Sequence, residues 1–269
     1  GVYQELYQME TPFEELSRVA TVRLKDPLVL KIASANYLSR SLPEDIHSYA
    51  SITLFDKMFR DMESSYAGHK QGEILLRIGS YILDGYLGGQ AIDSISEAML
   101  HEAYDDVTSP VHQLSRLIYK QDGTSVAYGE LINRPDRPIL RLVDVIRSDS
   151  KSLQFIYERF LEYILARVFV GRMREGIASY IAIAPERYIE SLTRAKTNVV
   201  FMGAMRNALI IDLLHTHDYT TLLTLARDYS SNYEASALIS DVCNTLVREN
   251  YEGEIFRLIE LMLDANLED

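Results

Sequence analysis

Apolar residues follow a helical period along most of the chain. They recur at intervals of three and four residues rather than in strict alternation, and that spacing places them on one face of an α-helix. Proline and glycine residues, such as Pro27, Pro43, Gly88 and Gly89, interrupt the pattern and mark helix ends. In the first 120 residues the pattern predicts helices near residues 12–25, 27–42, 44–64, 70–88, 90–104 and 110–120.

The clearest apolar stripe lies in the middle of the chain. Three residues that favour the N-cap position precede it, namely Ser148, Asp149 and Ser150. Charged residues such as Glu158 and Glu162 fall off the stripe. The sequence therefore predicts one continuous helix, whose buried face carries Leu153, Ile156, Tyr157, Phe160, Leu161, Ile164 and Val168.

The last third of the chain repeats one device, a capping side chain followed by tyrosine. It occurs at Asp218 and Tyr219, at Asn232 and Tyr233, and again at Asn250 and Tyr251, each time before an apolar-periodic segment. Three helices are expected, and in the second of them the buried face includes Leu238. The step between the first and the third cap has the length of one αα-hairpin, a unit that stacks in helical repeat proteins.

Residues 121–138 form the one long stretch in which no helical period is visible. It contains two glycines and two prolines, and the alternation around Val126 and Tyr128 is too short to predict a hairpin. We therefore expect an N-terminal helical lobe at 1–120, an irregular connector at 121–138 and a C-terminal helical lobe at 139–269. The predicted fold is all-α, a helical bundle or array of stacked antiparallel helices.

Composition and charge restrict the classes of function that we expect of this protein. The 269 residues are 47% hydrophobic and 25% charged, as in ordinary globular proteins, and 27 Lys and Arg stand against 39 Asp and Glu for a net charge of −12. That charge opposes binding to nucleic acid. The single cysteine, Cys243, cannot form an intramolecular disulfide. No uninterrupted apolar run approaches the roughly 18 residues of a membrane span, with 199–205 among the longest, so a soluble cytoplasmic protein is expected. Because Gly1 opens the chain, we expect a fragment of a longer protein.

Three clusters contain side chains that can bind metal ions. His215 and His217 stand beside Asp218, but residues two apart on a helix point away from each other. Asp105 and Asp106 are reminiscent of the Asp-rich motif of helical isoprenoid synthases, whose third carboxylate is missing here. Glu97 and His101, four residues apart on one helix face, could supply one ligand pair, whereas a di-iron bundle needs Glu-x-x-His twice and two further carboxylates. Each set lacks at least one ligand, so neither a bound metal nor a cofactor is expected.

Two further groups of residues point to recognition rather than catalysis. The chain has 18 tyrosines and no tryptophan, and tyrosine is suited to interfaces because it combines an apolar ring with a polar tip. The tyrosines beside the predicted caps are candidates for an interaction surface: Tyr219, Tyr229, Tyr233 and Tyr251. The arginines that come closest to a basic patch for an anion or RNA are Arg167, Arg172, Arg174 and Arg187.

A colinear set of segments is similar to the helical core of phycobiliproteins. It comprises the Ile-Ala-Ser-Ala segment at 32–35, the segment 73–81, the Glu-Ala-Tyr segment at 102–104, and Pro110. This resemblance implies a helical fold. The position of the pigment-carrying cysteine falls near Gly68, and Lys70 with Gln71 replaces the Arg-Asp pair that follows it, so the resemblance implies a pigment-free relative.

With no complete catalytic set, the sequence predicts a non-enzymatic interaction or assembly protein that binds another protein or itself. The alternatives are a metal-dependent helical enzyme that uses Asp105 and Asp106 or His215 and His217, an RNA-binding nucleoprotein, and the pigment-free phycobiliprotein relative. Nucleic acid is an unexpected partner, and a protein partner or a homo-oligomer is the expected one.

Overall fold

The computed structural model describes residues 51–64, 66–90, 92–120, 123–133, 139–145, 151–172, 198–248 and 251–267, with isolated residues at 30, 33, 190, 191 and 193. In that part of the chain ten helices surround one small sheet and one short hairpin, so the predicted all-α class is confirmed. The helices predicted at 12–25 and 27–42 lie outside the described residues, apart from two isolated positions, and the helix predicted at 44–64 is described only from Ser51.

The helices differ in length, and the longer ones form the body of the protein. They are α1 (Ser51–Glu63), α2 (Tyr66–Leu87), α3 (Glu97–Glu102), α4 (His112–Ile118), α5 (Val126–Asn133), α6 (Glu158–Arg172), α7 (Val199–Thr216), α8 (Thr220–Asp228), α9 (Tyr233–Arg248) and α10 (Glu252–Leu267).

Five short strands accompany the helices. Strands β1 (Ser94–Ser96), β4 (Leu140–Asp144) and β5 (Lys151–Phe155) form an antiparallel sheet in the order β1-β5-β4, in which Leu153 of the central strand pairs with Ile95 and with Leu142. Strands β2 (Tyr119–Lys120) and β3 (Gly123–Thr124) form a separate hairpin.

The sheet corrects two helix predictions. The helix predicted to carry Leu153 and Ile156 begins only at Glu158, because Lys151–Phe155 pairs with β4 on one side and its three middle residues also pair with β1 on the other. Leu153 is buried in this central strand, although its spacing of three residues from Ile156 fits a helical stripe equally well. The predicted caps at 148–150 lie outside the described residues. The helix predicted at 90–104 is likewise shorter, since Ser94–Ser96 pair as a strand and α3 covers Glu97–Glu102.

Residues 121–138, predicted to be an irregular connector, contain regular structure. Strand β3 and helix α5 occupy most of the described part, and α5 buries Ala127, Tyr128 and Leu131. Residues from both sides of this segment join one hydrophobic core. For example, the hydroxyl of Tyr163 on α6 donates a hydrogen bond to Asp56 on α1 at 2.9 Å. The division of the chain into two lobes stays a prediction.

Helix α7 is the most buried long helix, and it corrects the expectation that no apolar stretch is long enough to span a membrane. Its 18 residues meet that condition by length and composition, but 61% of them are buried inside the protein. The side chain of Asn198 caps its first turn by accepting a hydrogen bond from the N–H of Phe201 at 2.9 Å. A mostly buried helix of this kind is typical of a protein core.

One polar network crosses the contact between α6 and α7. Arg206 on α7 forms ion pairs with Glu162 on α6, at 3.1 Å, and with Asp241 on α9, at 3.3 Å. Glu162 is buried, and that burial raises the pKa of its carboxyl group although Arg206 opposes the shift. The network fixes the relative positions of three helices that otherwise pack through apolar side chains.

Candidate interaction surface

Two of the three caps predicted in the last third of the chain are confirmed. Asn232 caps α9, because its Oδ1 accepts a hydrogen bond from the N–H of Ala235 at 2.9 Å. Asp218 accepts one from the N–H of Thr220 at the start of α8, also at 2.9 Å, and the hydrogen bonds from Thr220 lower its pKa. Asn250, the third predicted cap, lies outside the described residues.

Tyr219 and Glu254 connect α8 to α10. The tyrosine hydroxyl donates a hydrogen bond to the carboxylate, and Nδ1 of His217 lies 3.2 Å from the other carboxylate oxygen. Burial, followed by the interaction with Glu254, raises the pKa of Tyr219 to about 12. The hydroxyl of Tyr219 therefore already has a hydrogen-bond partner within the chain.

The other three tyrosines of the predicted surface also lie at helix ends, but their surroundings differ. The hydroxyl of Tyr251 lies 2.6 Å from Oγ1 of Thr53 on α1, and this ring and that of Tyr229 pack against the hydrophobic core. Tyr233, at the start of α9, is 80% exposed. The four side chains thus share their position at helix ends, whereas only one of them is largely open to solvent.

A second surface, not singled out in the sequence, lies on helix α10. Phe256, Ile259 and Leu263 have exposed fractions of 65%, 47% and 59%. They are spaced by three and four residues, so they lie on one face of the helix. We call these three residues the α10 stripe. The neighbouring face of α10 packs against the core through Ile255, Leu258 and Met262.

Charged residues lie beside the α10 stripe. Arg257, Glu260 and Asp264 also follow each other at intervals of three and four residues, and Arg257 forms an ion pair with Glu260 at 3.2 Å. An apolar strip bordered by both signs of charge is the arrangement found where amphipathic helices meet.

The sequence candidates for metal binding do not come together. His217 ends α7 in the left-handed conformation, with φ of 52°, while His215 lies in the last turn, where a histidine complements the helix dipole. Asp105 and Asp106 lie in the exposed turns after α3, and Asp106 accepts hydrogen bonds from Thr108, which lower its pKa.

The third candidate pair, Glu97 and His101, lies on the short helix α3, and the His101 ring stacks on Tyr119. Among the residues that the structure describes, no three His, Cys, Asp or Glu side chains gather as metal ligands. That the protein binds no metal stays a prediction.

Arg167 and Arg172, two members of the predicted anion patch, are ion-paired. Arg167 bonds to Asp56 at 3.0 Å, and Arg172 bonds to Asp84 at 2.5 Å and also to Ser80. The other two members, at 174 and 187, lie outside the described residues. The described arginines therefore connect α6 to α1 and α2.

No protein-family model matches the chain, and no curated protein or solved structure is detectably similar to it. The resemblance to phycobiliproteins accordingly stays a hypothesis from the sequence.

Proposed function

We propose that this protein is a non-enzymatic assembly protein, in which helix α10 of one copy pairs with α10 of a second copy. The observation that supports the proposal is the α10 stripe. A helix at the surface of a soluble protein normally shows polar side chains to water, yet α10 shows Phe256, Ile259 and Leu263. In stacked helical proteins the outermost helix needs a polar outer face to stay soluble, so an apolar one favours a further helix on top.

A second copy of the same helix fits this face when the two run antiparallel. Around a two-fold axis near Ile259, Phe256 of one copy faces Leu263 of the other, and the same contact repeats by symmetry. Arg257 of each copy then comes close to Glu260 and Asp264 of the other copy. A parallel pair would instead place the charged residues of the two copies on opposite sides of the contact, where they could not pair across it.

Helix α10 is held firmly enough to act as a docking element. Its first turn is bonded to α8 and α7 through Glu254, and Tyr251, just before the helix, is bonded to α1. Side chains and backbone that are ordered before association lose less entropy when the partner binds. The interface is therefore largely formed in the single chain.

The expected dimer is reversible rather than permanent. Three side chains from each copy, at roughly 1.5–2 kcal/mol each, offset an association cost of at least about 4 kcal/mol. The remainder, about 5–8 kcal/mol, corresponds to a dissociation constant between roughly 1 and 200 μM. Interfaces of this small size belong to weak or transient complexes.

Sedimentation velocity over a concentration series tests the proposal. The wild-type protein is expected to dimerise, and Leu263→Glu to remain monomeric, because the new carboxylate would be buried against an apolar helix. Val126→Glu is the matched control, since Val126 is an equally apolar, 71% exposed residue on α5 and the same charge is added there. A wild-type protein that stays monomeric up to about 1 mM would refute the proposal.

A further inference from the structure

A cleft of about 570 Å³ lies between α2 and the chain that joins α3 to α4. That volume is within the range of small-molecule binding sites, about 300–1,000 Å³. One wall carries Arg77, Ser80 and Asp84 of α2, and the opposite wall carries the residues that lead into α4. The cleft is distant in sequence from the α10 stripe and has a different character.

Apolar and polar surfaces contribute about equally to the cleft lining. The apolar side chains come from the loop before β1, from α3, from the connection between α3 and α4, and from the start of α4, so that several separate segments converge on one space. They include Ile92, Met99 and Leu114, of which Leu114 is buried. Sites for small organic molecules combine apolar surface with a few polar groups in this way.

Both charged side chains that line the cleft are already compensated. Arg77 is paired with Glu73 at 2.9 Å and also bonded to Gln113, while Asp84 is paired with Arg172. A charged ligand would have to compete with these pairs. The cleft therefore favours an uncharged ligand.

Two polar groups in the lining have spare hydrogen-bonding capacity. His112 donates from Nδ1 to the carbonyl of Ala103 at 2.8 Å, and because a carbonyl can only accept, Nε2 of the neutral ring is an acceptor. The hydroxyl of Tyr81 donates to the sulfur of Met99 at 3.5 Å, and a thioether is a weak acceptor. A ligand carbonyl would be a better partner for this hydroxyl.

We infer that this cleft binds an uncharged aromatic molecule whose edge carries one hydrogen-bond donor and one acceptor, as in a lactam or a heteroaromatic amide. The donor of the ligand bonds to Nε2 of His112, its acceptor bonds to the hydroxyl of Tyr81, and its ring packs against Ile92, Met99 and Leu114. The assignment is independent of association through α10.

The test uses 2-quinolinone, an uncharged bicyclic lactam, as the probe. Protein with ¹⁵N-labelled histidine is titrated at about pH 8, where imidazole rings are neutral. The Nε2 resonance of His112, assigned by its loss in His112→Asn, is expected to shift and to saturate. The asparagine variant retains a donor at the position of Nδ1, so the hydrogen bond to Ala103 can persist.

Affinity for the same probe, measured by equilibrium dialysis, separates recognition from structure. Tyr81→Phe keeps the ring and removes the hydroxyl, and we expect it to weaken binding about three- to tenfold. Tyr104→Phe is the control, because Tyr104 lies on the same connection, stacks on Arg116 and does not line the cleft. Ser109→Phe, which fills the cleft from one wall, should abolish binding.

The inference is overturned if the probe causes no shift of His112 at millimolar concentration. It is also overturned if Tyr81→Phe, Ser109→Phe and Tyr104→Phe all bind the probe as tightly as the wild-type protein, which would locate binding elsewhere.

Discussion

The carboxyl group of Glu162 occupies the space beside Gly203, so that a Cβ atom at Gly203 would lie 2.4 Å from Cδ of Glu162. Helices α6 and α7 approach closely at this point because position 203 has no side chain. The contact explains why an apolar helix contains a glycine where alanine would favour helix formation. It also places the carboxylate within reach of Arg206.

Gly203→Ala is expected to destabilise the protein by roughly 1–3 kcal/mol, because the added methyl group displaces the Glu162 carboxylate from its ion pair. Gly171→Ala on α6 is the control, since nothing lies within 4 Å of a Cβ atom there and alanine should stabilise the helix by about 0.4–1 kcal/mol. Urea unfolding measures both. Equal effects of the two substitutions would contradict the close contact.

Glu162→Gln should change the pH dependence of stability. Burial raises the pKa of Glu162 in the folded state above its ordinary value of 4.5. The favourable contribution of this group to the free energy of unfolding is therefore complete below pH 4.5 and is lost as the pH rises through the folded-state pKa. Glutamine does not titrate, so the stability of Glu162→Gln relative to wild type should increase as the pH rises through this range. Parallel pH profiles of the two proteins would contradict the raised pKa.

Removing the α9 cap by Asn232→Ala should cost about 1 kcal/mol, because the N–H of Ala235 loses its acceptor at the helix start. Ser231→Ala changes the preceding exposed residue and should have little effect. Thermal unfolding compares the two. A stability loss of the same size in both variants would show that the Asn232 side chain does not cap the helix.

The tyrosines at the helix ends should separate into two groups. Tyr219→Ala and Tyr251→Ala should lower stability, because these side chains bond across to α10 and α1, whereas Tyr233→Ala should be nearly neutral. Leu238→Ala, which empties a fully buried position, should cost roughly 2–5 kcal/mol. Chemical unfolding of the four variants tests the order. If Tyr219→Ala and Tyr251→Ala leave the stability unchanged, both residues again become candidates for the interaction surface.

The helical class and the C-terminal helices could be predicted from the sequence, because caps and apolar spacing are local signals. Asp218 and Asn232 show this directly, since both bond to the N–H groups of the helices they precede. The sheet could not be predicted in the same way. Leu153 lies between Leu142 of the preceding strand and Ile95, which is far from it in the chain, and its own neighbours fit a helical period.

The α10 stripe shows the same limit at the candidate site. Phe256, Ile259 and Leu263 have a helical spacing in the sequence, but so do Ile255, Leu258 and Met262, and spacing alone does not tell which face meets the core. Only the packing of α10 against the rest of the protein separates the two. The cleft beside His112 likewise depends on segments that meet only in the folded chain.

Disulfide cross-linking between two single-cysteine proteins tests the central claim most directly. Phe256→Cys and Leu263→Cys are prepared with Cys243→Ser, mixed and oxidised, and the products are identified by mass. Antiparallel pairing of α10 predicts that the mixed dimer, which joins position 256 to position 263, makes up well over the half of all cross-linked dimers that random contact in an equimolar mixture would give. Cross-linking no greater than that of a Val126→Cys control, or a mixed share of one half or less, would contradict the pairing.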